Sequence, residues 1–508
     1  MQTRPRLLRT GGLVFSGQVL EFLVGAFLGC QVALAAQVAG QLTASRNPNY
    51  FKDANGTVLI LNGSQTWNTL QDWGSSGSVE PLDFDAYVKF LTAHGLNFTL
   101  LWRTELPKLC GLPIIAGPPP DLTVAPHPWL RTGPGKATDG GLKFDLRKFD
   151  PSYFDRLRAR VQALNNAGIF VGVYLFTGEF LNVYRCSGDG YPFTGANNIN
   201  GIDDGYTGGR QGTGSITMSA PNAITAFQDA YVEKVIDTLN DLPNVLWIVS
   251  EETPDNSIWW NNHQISHIRA YESRQAHQHP IGYGAVGSSD ASLYNSDADW
   301  VAPSARISPT KSCGNGKPAC KVNVNDSDHT YWGIWKETAP QARNYAWENF
   351  MTGNQVLFMD PYVVYYPREN RNLCVSPTNA ICRGPDTRYD NLRDNLGYIL
   401  RYSQRLNLAN VTPRSSLSST GYCLAQTPPL GAEYLVYAPS GGSFTVDLSS
   451  MSPSRTLAVE WFNPSTGATI AGAPIPSGSS SQSFTPPFSQ DAVLYLVDTA
   501  GHAASGKD

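Results

Sequence analysis

Eight short apolar runs recur between residues 58 and 362, most of them closing on a polar or acidic residue and separated by stretches of helical spacing. The first ends at Gln65, Thr66 and Trp67 and is fed by a hairpin whose turn is Asn55-Gly56. The others are Asn97–Trp102, Ile169–Phe176, Asn244–Ser250, Pro280–Tyr283, Trp300–Ala302, Lys321–Asn325 and Val356–Met359. Between them, Phe84, Tyr87, Val88 and Leu91 predict a helix from about Asp83, and Tyr153, Phe154, Leu157, Val161 and Leu164 predict a second. Phe227, Tyr231, Val235, Ile236 and Leu239 predict a third, between about Ala223 and Leu242. Strands alternating with helices in this number predict an α/β fold, a (β/α)8 TIM barrel, which gathers its strand ends on one face.

Two long stretches rich in Gly, Pro and Asn, Cys110–Gly141 and Cys186–Gly214, follow strands two and three. Loops of that length at strand ends should wall a cleft on the same face. Beyond about Thr412 the texture changes to short β-like runs, Tyr434–Tyr437, Ser443–Val446, Leu457–Trp461 and Ala492–Leu496, broken by Gly441-Gly442 and Asn463-Pro464. Strands in succession without helices predict a small all-β sandwich.

Residues 1–36 carry Arg4, Arg6 and Arg9, then an apolar stretch from Phe22 that ends in Ala33-Leu34-Ala35, the pattern of a secretory signal peptide. Glu21 and Gln31 interrupt it, which argues against a membrane span. The expected organisation is therefore a signal segment at 1–36, a catalytic barrel at 37–411, a sandwich at 412–499 and a disordered tail at 500–508, with a secreted or periplasmic location. Leu28-Gly29-Cys30 resembles a lipoprotein cleavage site, so a membrane enters only if Cys30 is lipidated.

Past the signal, seven cysteines remain, and in an exported protein they tend to pair. Spacing suggests Cys313 with Cys320, Cys374 with Cys382, and Cys110 with Cys186 across the two long insertions, leaving one over. Formal net charge is −5 and no dense Lys/Arg block follows the first ten residues, so a nucleic-acid partner is not expected. With 12 Trp and 23 Tyr the chain has flat apolar faces with polar edges in supply, which suits a carbohydrate partner.

Carboxylates mark two strand ends: Glu251 and Glu252 after strand four, Asp326 and Asp328 with His329 after strand seven. Hydrolysis of a glycosidic bond needs one protonated carboxyl for the leaving oxygen and one ionised carboxylate to attack the anomeric carbon (retention) or to activate water (inversion), so acids on two different strands suit it. Side chains alternate along a strand, so Glu251 and Glu252 cannot both face one cleft if the chain stays extended. Candidate substrate contacts at or near strand ends are Gln65, Trp67, Arg103, Tyr174, Glu179, Glu251, His329, Trp332, Asp360 and Tyr362, with Trp67 and Trp332 as stacking platforms. Arg103 has two alternative roles, orienting the strand-seven carboxylate and pairing with Glu105. Asp326-Ser-Asp-His329 also reads as an Asx-type turn or as metal ligands; no C-x2-C pair supports a zinc site, and neither metal nor cofactor is expected. No Gly-x-Ser-x-Gly elbow follows any strand, which disfavours serine hydrolysis.

Pro243-Asn-Val-Leu-Trp-Ile-Val-Ser-Glu251-Glu252 resembles the strand-four segment of clan A glycoside hydrolases, whose Asn-Glu pair ends in the acid/base. That resemblance implies the acid/base role for Glu252, with Glu251 standing where Asn is usual. Leu61–Trp67, Val324–Trp332 and Ala346–Pro361 resemble the apiosidase-like hydrolases, many of which carry a C-terminal sandwich of a collagen-binding type similar to Tyr434–Leu496. It implies a nucleophile at Asp326 or Asp328 and a plant, algal or microbial glycan as substrate. A non-catalytic glycan- or matrix-binding protein is the alternative from a different class.

Overall fold

The structure is a computed structural model and describes residues 38–75, 77–110, 121–208, 214–285, 287, 290–307, 321–327, 337–364, 382–383, 385–427, 431–451, 455–477 and 481–498. The described residues form one compact unit.

Eight parallel strands close into a TIM barrel: β1 Gly63–Gln65, β2 Phe98–Leu101, β3 Phe170–Tyr174, β4 Val245–Ile248, β5 Ile281–Gly284, β6 Trp300–Ala302, β7 Val322–Asp326 and β8 Gln355–Met359. Each pairs with its sequence neighbour, and β8 closes on β1 through Met359 opposite Gln65. The helices around them are α1 Phe84–Ala93, α2 Pro151–Asn166, α3 Thr225–Leu239, α4 Ile258–Glu272, α5 Ala291–Asn295, α6 Ala339–Met351 and α7 Asp390–Ser403. Their starts follow local chemistry. The Asp83 and Asp150 side chains accept backbone N–H groups at the first turns of α1 and α2, and Thr338 with Gln341 forms a reciprocal capping box on α6.

Strand alternation sorts the barrel side chains. On β7, Asn323 and Asn325 bond toward the helix layer, through Asn354 and Asn349, so Val322, Val324 and Asp326 face the lumen. Glycine keeps that lumen from overfilling: a Cβ on Gly282 would fall 2.2 Å from the Trp300 ring.

The Asn55-Gly56 hairpin forms, pairing Phe51 with Leu59 and Lys52 with Val58. Its loop is longer than the expected two residues. Asp53 and Thr57 close it, the Asp53 carboxylate accepts the N–H groups of Asn55 and Thr57, and Gly56 takes φ 78°. The first long insertion is also not a plain loop. It contains a strand at Leu122–Ala125 and a hairpin pairing Trp129–Lys136 with Leu142–Phe149. Gly133, Pro134 and Gly135 lie inside one arm and hide its strand character in the sequence.

The C-terminal strands are β9 Cys423–Gln426, β10 Glu433–Ala438, β11 Phe444–Asp447, β12 Thr456–Phe462, β13 Thr469–Pro476, β14 Ser481–Phe484 and β15 Ala492–Asp498. A six-stranded antiparallel sheet runs Thr412–Pro413, β9, β10, β15, β12, β13, and β11 pairs with β14 in a second layer. Alternation gives the large sheet two buried faces. Leu435, Tyr437, Phe462, Val493 and Tyr495 join the barrel core, whereas Val436, Trp461, Leu494 and Leu496 pack with Phe444, Val446 and Phe484 in a core of their own. At the junction, Trp347 of α6 stacks on Tyr437 with ring centroids 5.8 Å apart, and Arg343 grips the buried Asp491 at 2.6 and 2.9 Å.

Candidate active site

The carboxyl end of the barrel carries a chain of contacts across five strands, three hydrogen-bonded links and one ring contact. Asp326, at the end of β7, is 2% exposed and receives the Gln65 side-chain amide at 3.4 and 3.5 Å. Gln65, at the end of β1, in turn accepts the Trp102 indole N–H at 2.7 Å. Trp102 follows β2 and lies against the Tyr174 ring, centroids 4.5 Å apart. Tyr174, the last residue of β3, donates its hydroxyl to Glu251 Oε2 beyond β4. Two acids from β4 and β7 are thus wired to the same lumen by residues of β1, β2 and β3.

Glu251 is fully buried, and its side chain lies against Gly284 of β5, where a Cβ would come within 2.6 Å of its own. The next residue, Glu252, is partly exposed and takes φ 48°, the single non-glycine with positive φ among the described residues. That turn takes the chain off the extended backbone on which strict alternation depends. A strained backbone of this kind costs about 1–3 kcal/mol and persists where its surroundings over-determine it. They do so here: Thr253 bonds to Asn261 of α4 at 3.0 Å and its carbonyl accepts Gly287 N–H at 2.8 Å.

Several expected contacts lie elsewhere. Arg103 is 1% exposed, its guanidinium stacked 4.1 Å from the Tyr231 ring, with Phe176 and Trp129 at 5.3 and 5.7 Å, and its Nη1 donates to Leu175 O at 2.5 Å. Tyr231 belongs to α3, so Arg103 faces the helix layer and not the mouth. Asp360 is clamped by Arg393 of α7 at 2.6 and 2.8 Å and accepts the Ser64 hydroxyl at 2.8 Å. Tyr362 packs on Tyr87 and Phe90 of α1, centroids 5.1 and 4.8 Å apart. Substrate contact by these three is therefore withdrawn: their partners on α1, α3 and α7 hold them in the helix layer. Trp67 is 8% exposed, and Glu179 sits half-exposed on a short helix, Gly178–Val183. Asp328, His329 and Trp332 lie outside the described residues, as do Cys313, Cys320 and Cys374 and the side chain of Cys382. Trp102 was not anticipated, although it shares the parity of Phe98 and Leu100 on β2.

The two insertions over the mouth are joined by a disulfide, Cys110–Cys186, as their placement after β2 and β3 suggested. Cys423 is free and buried, and burial pushes its thiol up to about 12. The second insertion is stapled internally by Arg185, wholly buried between Asp189 at 2.6 Å and Asp204 at 2.8 Å.

Residues 419–497 match a family model described as "Putative collagen-binding domain of a collagenase". No curated protein matches the chain in sequence. Among solved structures, the chain is similar to a glycoside hydrolase family 5 protein from Bacteroides vulgatus, at 15% identity and a TM-score of 0.58, over 92% of this chain and 96% of that one. It is similar to a second structure titled "Glycoside hydrolase", at 14% identity and a TM-score of 0.58, over 91% of this chain and 98% of that one. At these identities the likeness is one of fold.

Proposed function

We propose that the barrel hydrolyses O-glycosidic bonds of a glycan, with Glu252 as general acid/base and Asp326 as nucleophile. In the first step the Asp326 carboxylate attacks the anomeric carbon while the Glu252 carboxyl protonates the departing glycosidic oxygen, forming a glycosyl ester on Asp326. In the second, Glu252 takes a proton from water, whose oxygen displaces Asp326 and releases the sugar. Glu251 holds the turn before Glu252 through Tyr174, and Gln65 orients Asp326.

One observation supports the reading: Asp326 of β7 and Glu251, the neighbour of Glu252 beyond β4, are joined at the mouth through Gln65, Trp102 and Tyr174, by three hydrogen-bonded links and one ring contact. The strained turn at Glu252 and the fold-level likeness to glycoside hydrolases agree with it. Export belongs to the same proposal, and N-terminal sequencing of the secreted protein should find residues 1–36 removed. The test of function is release of product from aryl glycosides and from plant, algal and microbial polysaccharides. Glu252→Gln and Asp326→Asn are each expected to lower kcat at least about 1000-fold. Unchanged turnover in both variants sinks the assignment.

A second reading, a glycan- or matrix-binding protein, is favoured by the family-model match over residues 419–497. It expects retention on collagen or glycan resins to survive loss of both acids, with no product released by the unaltered chain.

A further inference from the structure

Between β2 and β3 lies a buried carboxyl group that the mechanism does not use. Glu105, 1% exposed, accepts the Thr177 N–H on Oε1 at 2.6 Å, and its Oε2 has no hydrogen-bond partner among the described residues. The Thr177 hydroxyl donates to the Arg103 carbonyl, and Arg103 Nη1 donates to Leu175 O at 2.5 Å. The segment from Tyr174 to Gly178 is thereby laced to the end of β2 on one side. Its other side holds the acids: Tyr174 donates to Glu251, and Gly178 is so close to β4 that a Cβ would lie 2.7 Å from Glu251 O and 2.1 Å from Thr253 Cγ2.

We propose that Glu105 is a positioning residue whose ionisation sets how firmly the Tyr174–Gly178 segment holds Glu251 and Glu252, so that turnover follows its titration. The proposal rests on Glu252 being the reacting acid. An ionised carboxylate accepts a backbone N–H about twice as strongly as a neutral one. Protonation of the carboxyl therefore weakens its hold on the Thr177 N–H. The groups facing Glu105 are the Arg103 guanidinium and the phenols of Tyr153 on α2, Tyr231 on α3 and Tyr191 in the second insertion, each phenol raised by burial and so neutral. Burial outweighs the attraction of Arg103 and pushes the Glu105 carboxyl up to about 7. The segment is tight above neutral pH and loosens below it.

The experiment compares the kcat profile from pH 5 to 9 of the unaltered chain, Glu105→Gln and Glu105→Asp on an aryl glycoside, alongside a near-ultraviolet circular dichroism titration that needs no substrate. The unaltered chain should lose about 10-fold in kcat on the acid side of 7 with little change in KM. Glu105→Gln, which still accepts the Thr177 N–H but never ionises, should run at the lower rate at every pH and lose the spectral transition. Glu105→Asp should restore a displaced limb. Retention of the limb near 7 by Glu105→Gln, or absence of any spectral transition in the unaltered chain, overturns the proposal. A spectral transition abolished by Glu105→Gln in a chain that cleaves no glycoside supports the titration of Glu105 and overturns the glycosidase reading instead.

Discussion

Replacing Cys186 by serine removes the covalent tie between the two insertions that wall the mouth. The Cys110–Cys186 bridge spans a sequence separation of 76 residues, enough to enclose α2, β3 and both insertion roots. Cross-linking a loop of that length removes about 15 cal/mol/K of denatured-state entropy, or about 4 to 5 kcal/mol at 25 °C. A chain this large buries a substantial core, so Cys186→Ser should still fold and should show its loss as a lower denaturation midpoint. Urea unfolding followed by tryptophan fluorescence measures it, with Cys110→Ser and the double variant as controls. Because the effect belongs to the bridge and not to either thiol, all three variants should lose the same amount. A loss below about 1 kcal/mol, or a double variant clearly worse than either single one, refutes the entropic argument.

Tyr174→Phe deletes the hydroxyl donated to Glu251 and should lower kcat about 10-fold, read by steady-state kinetics, for a net hydrogen-bond loss of about 1–2 kcal/mol. Arg343→Met strands the buried Asp491 carboxylate at the barrel–sandwich junction and should cost about 3–5 kcal/mol. Because the two parts share a core, calorimetry should still show one transition; a separate early sandwich peak would contradict that. Glu105 is raised in the folded chain, so its contribution is fully present below its ordinary range near 4.5 and is lost as pH rises through about 7. Glu105→Gln should therefore match the unaltered chain in stability at pH 4 and exceed it by about 3 kcal/mol at pH 8, measured by urea midpoints.

The barrel was legible because its strands are short apolar runs ending on polar residues, and its helices carry stripes such as Tyr153, Leu157, Val161 and Leu164, all buried. What failed was side assignment at strand ends. Arg103 and Asp360 sit one residue from lumen-facing Trp102 and Met359, and a one-residue step in a strand moves a side chain to the other face. Counting parity from the apolar residues of each strand would have separated them. Parity could not have foretold Glu251, which bonds Tyr174 although Trp247 and Ser250 both bond the helix layer, nor the positive φ that follows at Glu252. In the sandwich, β13 is not among the predicted strands because Thr-Ile-Ala-Gly-Ala-Pro-Ile-Pro carries one Gly and two Pro; on the sheet edge, prolines need not donate to a neighbour. The strands of the first insertion were hidden the same way, and the Cys110–Cys186 pair was visible only because both cysteines follow neighbouring strands.

The central claim is that an acid beyond β4 and an acid of β7 act on one linkage, and leaving-group dependence tests it most directly. On a glycoside with a dinitrophenolate leaving group, which needs no proton to depart, Glu252→Gln should form the glycosyl ester at near the unaltered rate, then stall until azide is added. The same variant should be inactive on the natural glycan, and Asp326→Asn should be inactive on both. Equal losses on both substrates for Glu252→Gln, or activity in Asp326→Asn, would contradict the account.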